Sequence, residues 1–431
     1  MGGTGGVVHA YERAMHNSAR LWLTKLAIVI GIFLTYTGLA YSQELALVGG
    51  RVYASPIANP IDDAVVLVHD GTITALGRRG EVHVPSTTQV IDVKGKFITA
   101  GFWNSHVHFT EAAWKDAGTA PASRLEDHMQ QMLTRWGFTT VFDIGSNPQD
   151  TIPLRERVSK GEVPGPKIYT TAGAIYPQNG IPVYLPKDLV PLMKHFEAAT
   201  PADAARLARD SLAKGGDGIK VFAGAIVGHG EVLPMPVDVI KAAVEVAHAD
   251  GKPVFAHPSN HAGTDNALAG GVDVLAHTIP MEKDWTPEEL QRMKQEHVAL
   301  TPTLSLFPDE ERKFGGSKQD EEAVLSVAVG QLKTYFDQGG TILFGTDVGY
   351  TQLYDTTSEY EYMQRSGMQW RDILASLTTN PATFFKAANT EEIVKGGIAD
   401  LVVLDADPAI DVRNFAKVDY TIRAGKVIYK R

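Results

Sequence analysis

The chain has 431 residues, of which 44% are hydrophobic and 21% charged, and a formal net charge of -10. Such a composition belongs to a globular protein with a full core, and the acidic balance without any Lys/Arg-rich run excludes a nucleic-acid partner. The lack of cysteine excludes disulfides, thiolate metal sites and a cysteine nucleophile, yet a cysteine-free chain is unharmed in an oxidising compartment.

At the N-terminus, Arg20 and Lys25 precede an apolar run over 26–34. Gly38-Leu39-Ala40 and Ala40-Tyr41-Ser42 follow, each with small residues where a signal peptidase needs them. The run is short for a spanning helix, which takes about 20 apolar residues. Residues 1–42 are therefore expected to be a signal peptide, cleaved after 40 or 42, with a retained anchor helix as the alternative. Met15 is a second candidate start. The expected location is periplasmic or secreted, with no membrane attachment after cleavage.

Short β-like runs come next, at 46–48, 64–68 and 71–76, punctuated by Gly49-Gly50 and Asp70-Gly71. Similar runs close the chain at 400–405, 420–423 and 427–429. Each end has too few strands to be stable alone. The expectation is that 43–97 and 392–431 join into one small composite β-sandwich domain.

Between them, apolar runs at 98–103, 139–144, 167–171, 218–223, 253–256, 272–276, 299–303 and 341–345 alternate with helical patterns such as 202–213, 237–249 and 321–336. Eight β units alternating with helices predict an α/β fold, a (β/α)8 TIM barrel over 98–391. Function in that fold sits where strands end.

The first run ends in Asn104-Ser105-His106-Val107-His108, and residues two apart on an extended backbone point the same way. Alone, this pair is as readily two histidines in a polar loop. Other strand ends add to it. Lys220 lies inside an apolar strand, where burial lowers its pKa and favours a neutral, nucleophilic amine able to add CO2 as a carbamate. His257, His277 and Asp347 end three further runs. Nitrogen and oxygen donors of this kind suit zinc, and also manganese, cobalt or nickel.

Taken together, the set resembles the amidohydrolase superfamily, most of all the branch with imidazolonepropionase-like enzymes, Xaa-Pro dipeptidases and related N-acyl amino acid hydrolases. The resemblance spans about 44–430. It rests on Ile98-Thr99-Ala100-Gly101-Phe102 before the histidine pair, on 137–145, on Asp217-Gly218-Ile219-Lys220-Val221, and on the two strand-end histidines. Gly345-Thr346-Asp347, Thr379-Asn380-Pro381-Ala382 and 397–404 complete it. It implies two divalent metal ions, with zinc the first expectation. His106 and His108 would hold one, His257 and His277 the other, and Lys220, carboxylated, would bridge them. Asp347 would ligate the first metal and act as general base. The implied reaction is cleavage of a C–N bond in a small molecule by a metal-bound hydroxide, on N-acyl amino acids or dipeptides. The alternative is a cyclic amide of imidazolone type or a lactone. Deamination is disfavoured, because His257-Pro258-Ser259-Asn260 lacks the glutamate that deaminases of this fold need. A non-catalytic scaffold is disfavoured because all six ligands are present.

Two positions depart from the family: Asn104 stands where relatives carry Asp, and Ser259 where many carry a second histidine. Both are expected at the mouth of the site. His261 is the nearby substitute, although a loop histidine satisfied by its own surroundings is the plainer reading. His229, Tyr176 and Tyr184 are further candidates for substrate contact, as are Tyr350 and Tyr354. His128, His195, His248 and His297 read as surface residues. A homo-oligomer is compatible with the sequence.

Overall fold

The computed structural model describes residues 44–185 and 190–431. The expected signal peptide, 1–42, lies outside the described residues. No helix among the described residues is long and apolar enough to cross a membrane.

Strands from the two ends of the chain lie in one sheet. Lys426–Lys430, Val418–Arg423, Leu401–Leu404, Phe97–Ala100, Glu44–Tyr53, Ile61–His69 and Thr72–Arg78 lie side by side in that order. The short strand Gln89–Asp92 adds to Glu44–Tyr53, making eight strands in one sheet. Glu44–Tyr53 changes partner along its length: Leu45–Val48 pairs with Gln89–Asp92, whereas Arg51–Tyr53 pairs with Phe97–Ala100. The switch falls at Gly49-Gly50, where Gly49 has a φ of 94°. Along Leu401–Leu404, side chains alternate between two cores. Leu401 and Val403 pack with Leu45, Val66 and Ile98, while Val402 and Leu404 face the body of the protein.

That body is parallel α/β. Phe102–Val107, Phe138–Asp143 and Lys167–Thr170 form one parallel sheet. Ile219–Phe222, Val254–His257, Val274–Ala276 and Ala299–Thr301 form another. Helices follow the strands, several opened by capping boxes such as Thr200/Asp203, Thr286/Glu289 and Ser317/Asp320, which satisfy the orphan N–H groups of the first turn. Backbone hydrogen bonds link the sheets on both sides. Ile175 N–H donates to Lys220 O at 2.8 Å and Phe222 N–H to Ile175 O at 2.9 Å. On the other side, Leu343 N–H donates to Leu300 O at 2.9 Å and Ser105 N–H to Phe344 O at 2.7 Å. The expected eighth strand is therefore present as bridging backbone over 342–344 rather than as a regular strand.

One expected strand divides. The run 98–103 splits at Gly101, so its first half belongs to the end sheet and its second half to the body. Gly101 N–H donates to Asp400 O at 2.8 Å, and the next residue, Phe102, donates to Gly137 O at 3.1 Å. A Cβ at Gly101 would lie 2.1 Å from Thr139 Oγ1, so only glycine fits the crossing. Continuous hydrophobicity hid this break, because both halves are buried.

Candidate metal centre

Parallel strands present their carboxyl ends to one face, and the predicted side chains meet there. His106 Nε2 lies 3.2 Å from His108 Nε2 and 3.2 Å from Asp347 Oδ1, and His108 Nε2 lies 2.9 Å from the same oxygen. These three ligand atoms lie within 4.8 Å of one another, a spacing one cation can bridge. His277 Nε2 stands 3.8 Å from Asp347 Oδ2. The His277 ring is 4.6 Å from that of His106 and 4.7 Å from that of His257. Lys220 is 2% exposed and lines the same cavity.

Burial sets the protonation of these groups. It lowers His106 to about 4 and carries His257 and His277 well below the usual imidazole value, so all three are neutral with lone pairs available. Burial also pushes the Lys220 amine down to about 7, with Asp347 opposing it. Burial alone would raise Asp347, but His106 and His108 beside it hold the carboxyl well below its usual range, and it is ionised.

The set fits a divalent cation. Buried Asp347 Oδ1 and His106 Nδ1 make no well-aligned hydrogen bond, despite the two imidazole nitrogens close to that oxygen, although buried polar atoms normally make one. Neutral imidazoles with lone pairs, crowded around an ionised carboxylate at these distances, form a donor set that suits a positive charge. Supports stand behind the rings, as they do behind metal ligands generally. His277 Nδ1 contacts Thr303 Oγ1 at 2.7 Å, and His108 Nδ1 faces Asp143 Oδ1 at 4.0 Å. Asp143 in turn accepts from Ser146 Oγ and, at 2.6 Å, from Thr170 Oγ1. Asp347 and His277 also sit in left-handed backbone, with φ of 58° and 110°. Non-glycine residues held so cost on the order of 1–3 kcal/mol each, and such strain collects at functional sites.

The cavity above has a volume of about 1160 Å³. Tyr176 and Tyr184 line it, as does His229 from an exposed hairpin turn. Tyr176 stacks on Phe222 at 4.6 Å, and Phe222 on His257 at 4.8 Å. His261 is not brought in. It opens the helix His261–Gly270 and pairs with Glu289 at 2.9 Å and Glu282 at 3.6 Å, so it does not replace the histidine absent at Ser259. Ser259 does line the cavity.

Asn104 departs from expectation. It is fully buried behind the site, donating to Thr346 Oγ1 at 2.8 Å and accepting from His106 N–H at 3.2 Å. It positions ligand-bearing backbone rather than the mouth. His128 is also no surface residue: it packs 4.7 Å from Trp114 and pairs with Glu111 at 2.9 Å, and Tyr354 donates to that same Glu111 at 2.6 Å. Sequence reasoning missed Glu310, which lines the cavity from the helix Leu306–Lys313 and accepts from Tyr350 Oη at 2.7 Å. An acid on a charged helix carries no sequence signal of facing inward.

The family model described as Amidohydrolase family matches residues 97–428. The chain belongs to the amidohydrolase family. The family is metal-dependent, and the chain is a hydrolase acting on carbon–nitrogen bonds. Among solved structures, this amidohydrolase is similar to a candidate prolidase from Bifidobacterium longum, at TM-score 0.76 and 24% identity, covering 90% of this chain and 95% of that one. It is similar to a Xaa-Pro dipeptidase with bound methionine, at TM-score 0.76 and 22% identity, covering 90% and 100%. A. niger ochratoxinase gives TM-score 0.74 and 21% identity, covering 90% and 96%. At these identities the likeness speaks for the fold. An adenine deaminase of Deinococcus deserti is 34% identical over 79 residues, which is 18% of this chain and 14% of that protein's length.

Proposed function

We propose that this amidohydrolase cleaves an amide C–N bond in a small molecule, with two divalent metal ions, zinc first among candidates. The observation that carries the reading is the convergence of neutral imidazoles on one buried, ionised carboxylate, with ligand atoms close enough to share a cation, at the floor of a large cavity. His106, His108 and Asp347 would hold one ion, and His257 and His277 the other. Lys220 would bridge them as a carbamate: its neutral amine adds to CO2, forming an N–C bond and releasing one proton. A buried amine near pKa 7 supports that role, and a Lys220→Met variant retaining two metals would refute it.

Bound metal supplies a water acidified towards neutrality and a Lewis acid for the substrate carbonyl. The protein's own groups do the rest. Water oxygen bonds to the carbonyl carbon, and the C–N bond breaks. Asp347, ionised, takes a proton from the attacking water and delivers it to the leaving nitrogen, giving a carboxylic acid and an amine. Buried Tyr176 and Tyr184 keep their phenol protons, because burial raises both, and are hydrogen-bond donors in the cavity wall.

The bridging bonds between the two parallel sheets support reading 98–391 as a (β/α)8 barrel, with 43–97 and 392–431 as a small β domain beside it. The pattern at 1–42 supports export to the periplasm or beyond. Linear amides of the N-acyl amino acid or dipeptide kind are the first substrates to test, in keeping with the dipeptidase among the structural neighbours. The experiment is amine release from such a panel by protein loaded with zinc and bicarbonate, against a chelated control. Chelator-sensitive release is expected. Silence across linear amides with metal bound would move the reading to cyclic amides or lactones.

A further inference from the structure

Thr303 follows the strand Ala299–Thr301 and touches the metal centre from behind. Its Oγ1 lies 2.7 Å from Nδ1 of His277, whose Nε2 faces Asp347. Thr303 is fully buried and sits in left-handed backbone, with a φ of 47°. For a β-branched residue that conformation is an outlier, so its surroundings have to hold it there.

The holder is Glu359. It projects from the helix Thr357–Arg365 and is 1% exposed. Its two carboxylate oxygens accept from the backbone N–H groups of Leu304 and Ser305, each at 2.8 Å. The Leu304 N–H belongs to the same planar peptide as the Thr303 carbonyl, and that carbonyl accepts from Leu306 N–H at 3.1 Å. The peptide is thus gripped at both edges, which fixes ψ at Thr303. With its backbone set, a threonine has few staggered positions for its hydroxyl.

Capping alone does not account for a carboxylate here. Leu304 and Ser305 precede the helix Leu306–Lys313, and Ser305 gives that helix no side-chain cap. A serine at that position can serve as a cap itself, whereas a buried carboxylate is costly to desolvate. Burial raises the Glu359 carboxyl to about 7, with the Ser305 and Leu304 N–H groups opposing it. The charge is therefore spent on holding this one turn, and the turn leads to a single ring, His277.

We infer that Glu359 is a positioning residue for the metal centre: through the Leu304–Ser305 backbone it holds Thr303 so that the hydroxyl accepts from His277 Nδ1–H, which leaves the Nε2 lone pair turned towards the metal. The inference rests on the reading of His277 as a ligand. It concerns the ion assigned to His257 and His277, not the one assigned to His106, His108 and Asp347.

The test titrates cobalt into the metal-free full chain with bicarbonate at pH 8, reading visible absorption. His277→Ala should lose one of the two ions; if it binds both as the unaltered chain does, the ligand reading fails and the inference falls with it. Glu359→Gln should bind the second ion about tenfold more weakly and the first unchanged, the scale expected when a group behind a ligand is altered. Thr303→Val should do the same. The double variant should lose no more than either single one, because both act through one hydroxyl. Unchanged affinity in Glu359→Gln, beside a lost ion in His277→Ala, would overturn the inference and leave the ligand reading standing. Additive losses in the double variant would overturn it equally. Asp400→Asn, which alters a buried carboxylate of the end sheet, should leave both affinities unchanged; a matching loss there would mean that any destabilisation weakens the metal, and would also overturn it. Should Glu359→Gln fail to fold, Glu359→Asp, which keeps the charge and shortens the reach, carries the same expectation and the same refutation. Nitrogen NMR of the unaltered chain with isotope-labelled histidine needs no substitution: a proton on His277 Nδ1 is expected, and a proton on Nε2 instead would overturn the inference.

Discussion

The end sheet and the carboxyl ends of the parallel strands both bury polar groups, but they treat them differently. In the end sheet, buried groups are answered. Tyr53 donates to Asp407 at 2.8 Å, Thr421 to Thr134 O at 2.6 Å, and Ala424 N–H to Asp400 at 2.6 Å. At the strand ends, Asp347 Oδ1, His106 Nδ1 and Ser105 Oγ cluster without well-aligned hydrogen bonds, whereas the other such atoms, among them Trp114 Nε1, Tyr360 Oη and Asn414 Oδ1, are scattered. Satisfied polar groups fix a fold, whereas unsatisfied ones imply something that arrives from outside. The contrast marks the strand ends as the place where such groups gather, the one place among the described residues where they share a cavity with titratable side chains.

The contrast breaks most visibly at Asp347. Asp347→Asn should cut turnover by about 10³-fold, the loss expected when a proton carrier is removed, with folding stability retained. Amine release and thermal denaturation on the same sample check both halves. Comparable losses of activity and stability would mean that the carboxylate is architectural.

Asp400 tests the other side. Burial raises its carboxyl to about 6, although the Ala424 N–H and Arg423 pull it down. The unfolded chain ionises it near its usual value, so between about pH 4 and pH 6 the folded state holds a proton that the unfolded state has lost. Stability should therefore fall as pH rises through that window, by about 3 kcal/mol at 1.36 kcal/mol per unit. Asp400→Asn should flatten that part of the profile, measured by denaturant midpoints across pH.

Metal should act on the strand ends alone. Zinc at about 100 times its dissociation constant should add about 2.7 kcal/mol to stability, and chelator should remove it. A His106→Ala, His108→Ala double variant should lose that increment. Its retention would locate the metal elsewhere. The smallest effect belongs to Tyr53→Phe, which removes one donor to Asp407 and should cost about 1 kcal/mol without changing turnover.

Much of this was legible from spacing. Strand-end positions located His106, His257, His277 and Asp347, because a residue at the end of a buried run in a parallel sheet has one place to point, and Lys220 stood out as a lysine inside an apolar strand. The two chain ends were expected to join for a different reason, that neither has strands enough to stand alone. Such reasoning failed where three-dimensional detail decides. Gly101 was hidden inside a continuous apolar run, and only its approach to Thr139 reveals the crossing. Asn104 looked like a mouth residue but hydrogen-bonds behind the ligands. His261, read as a loop histidine satisfied by its own surroundings, pairs with Glu289. His128 was read as surface because the pattern of a helix does not show that Glu111 and Trp114 come from outside it. Glu310 was invisible for a related reason: inward-facing acids on amphipathic helices look like their solvated neighbours.

The left-handed backbone at Asp347 and His277 bears on how such a protein changes over generations. Asparagine and glycine tolerate that conformation better than most residues, so exchanges to them would relax the chain while removing a proposed metal ligand. Selection for folding alone would then favour loss of chemistry at these two positions. Only continued demand for the reaction holds them in place, and a lineage freed from that demand would keep its scaffold and empty its centre first.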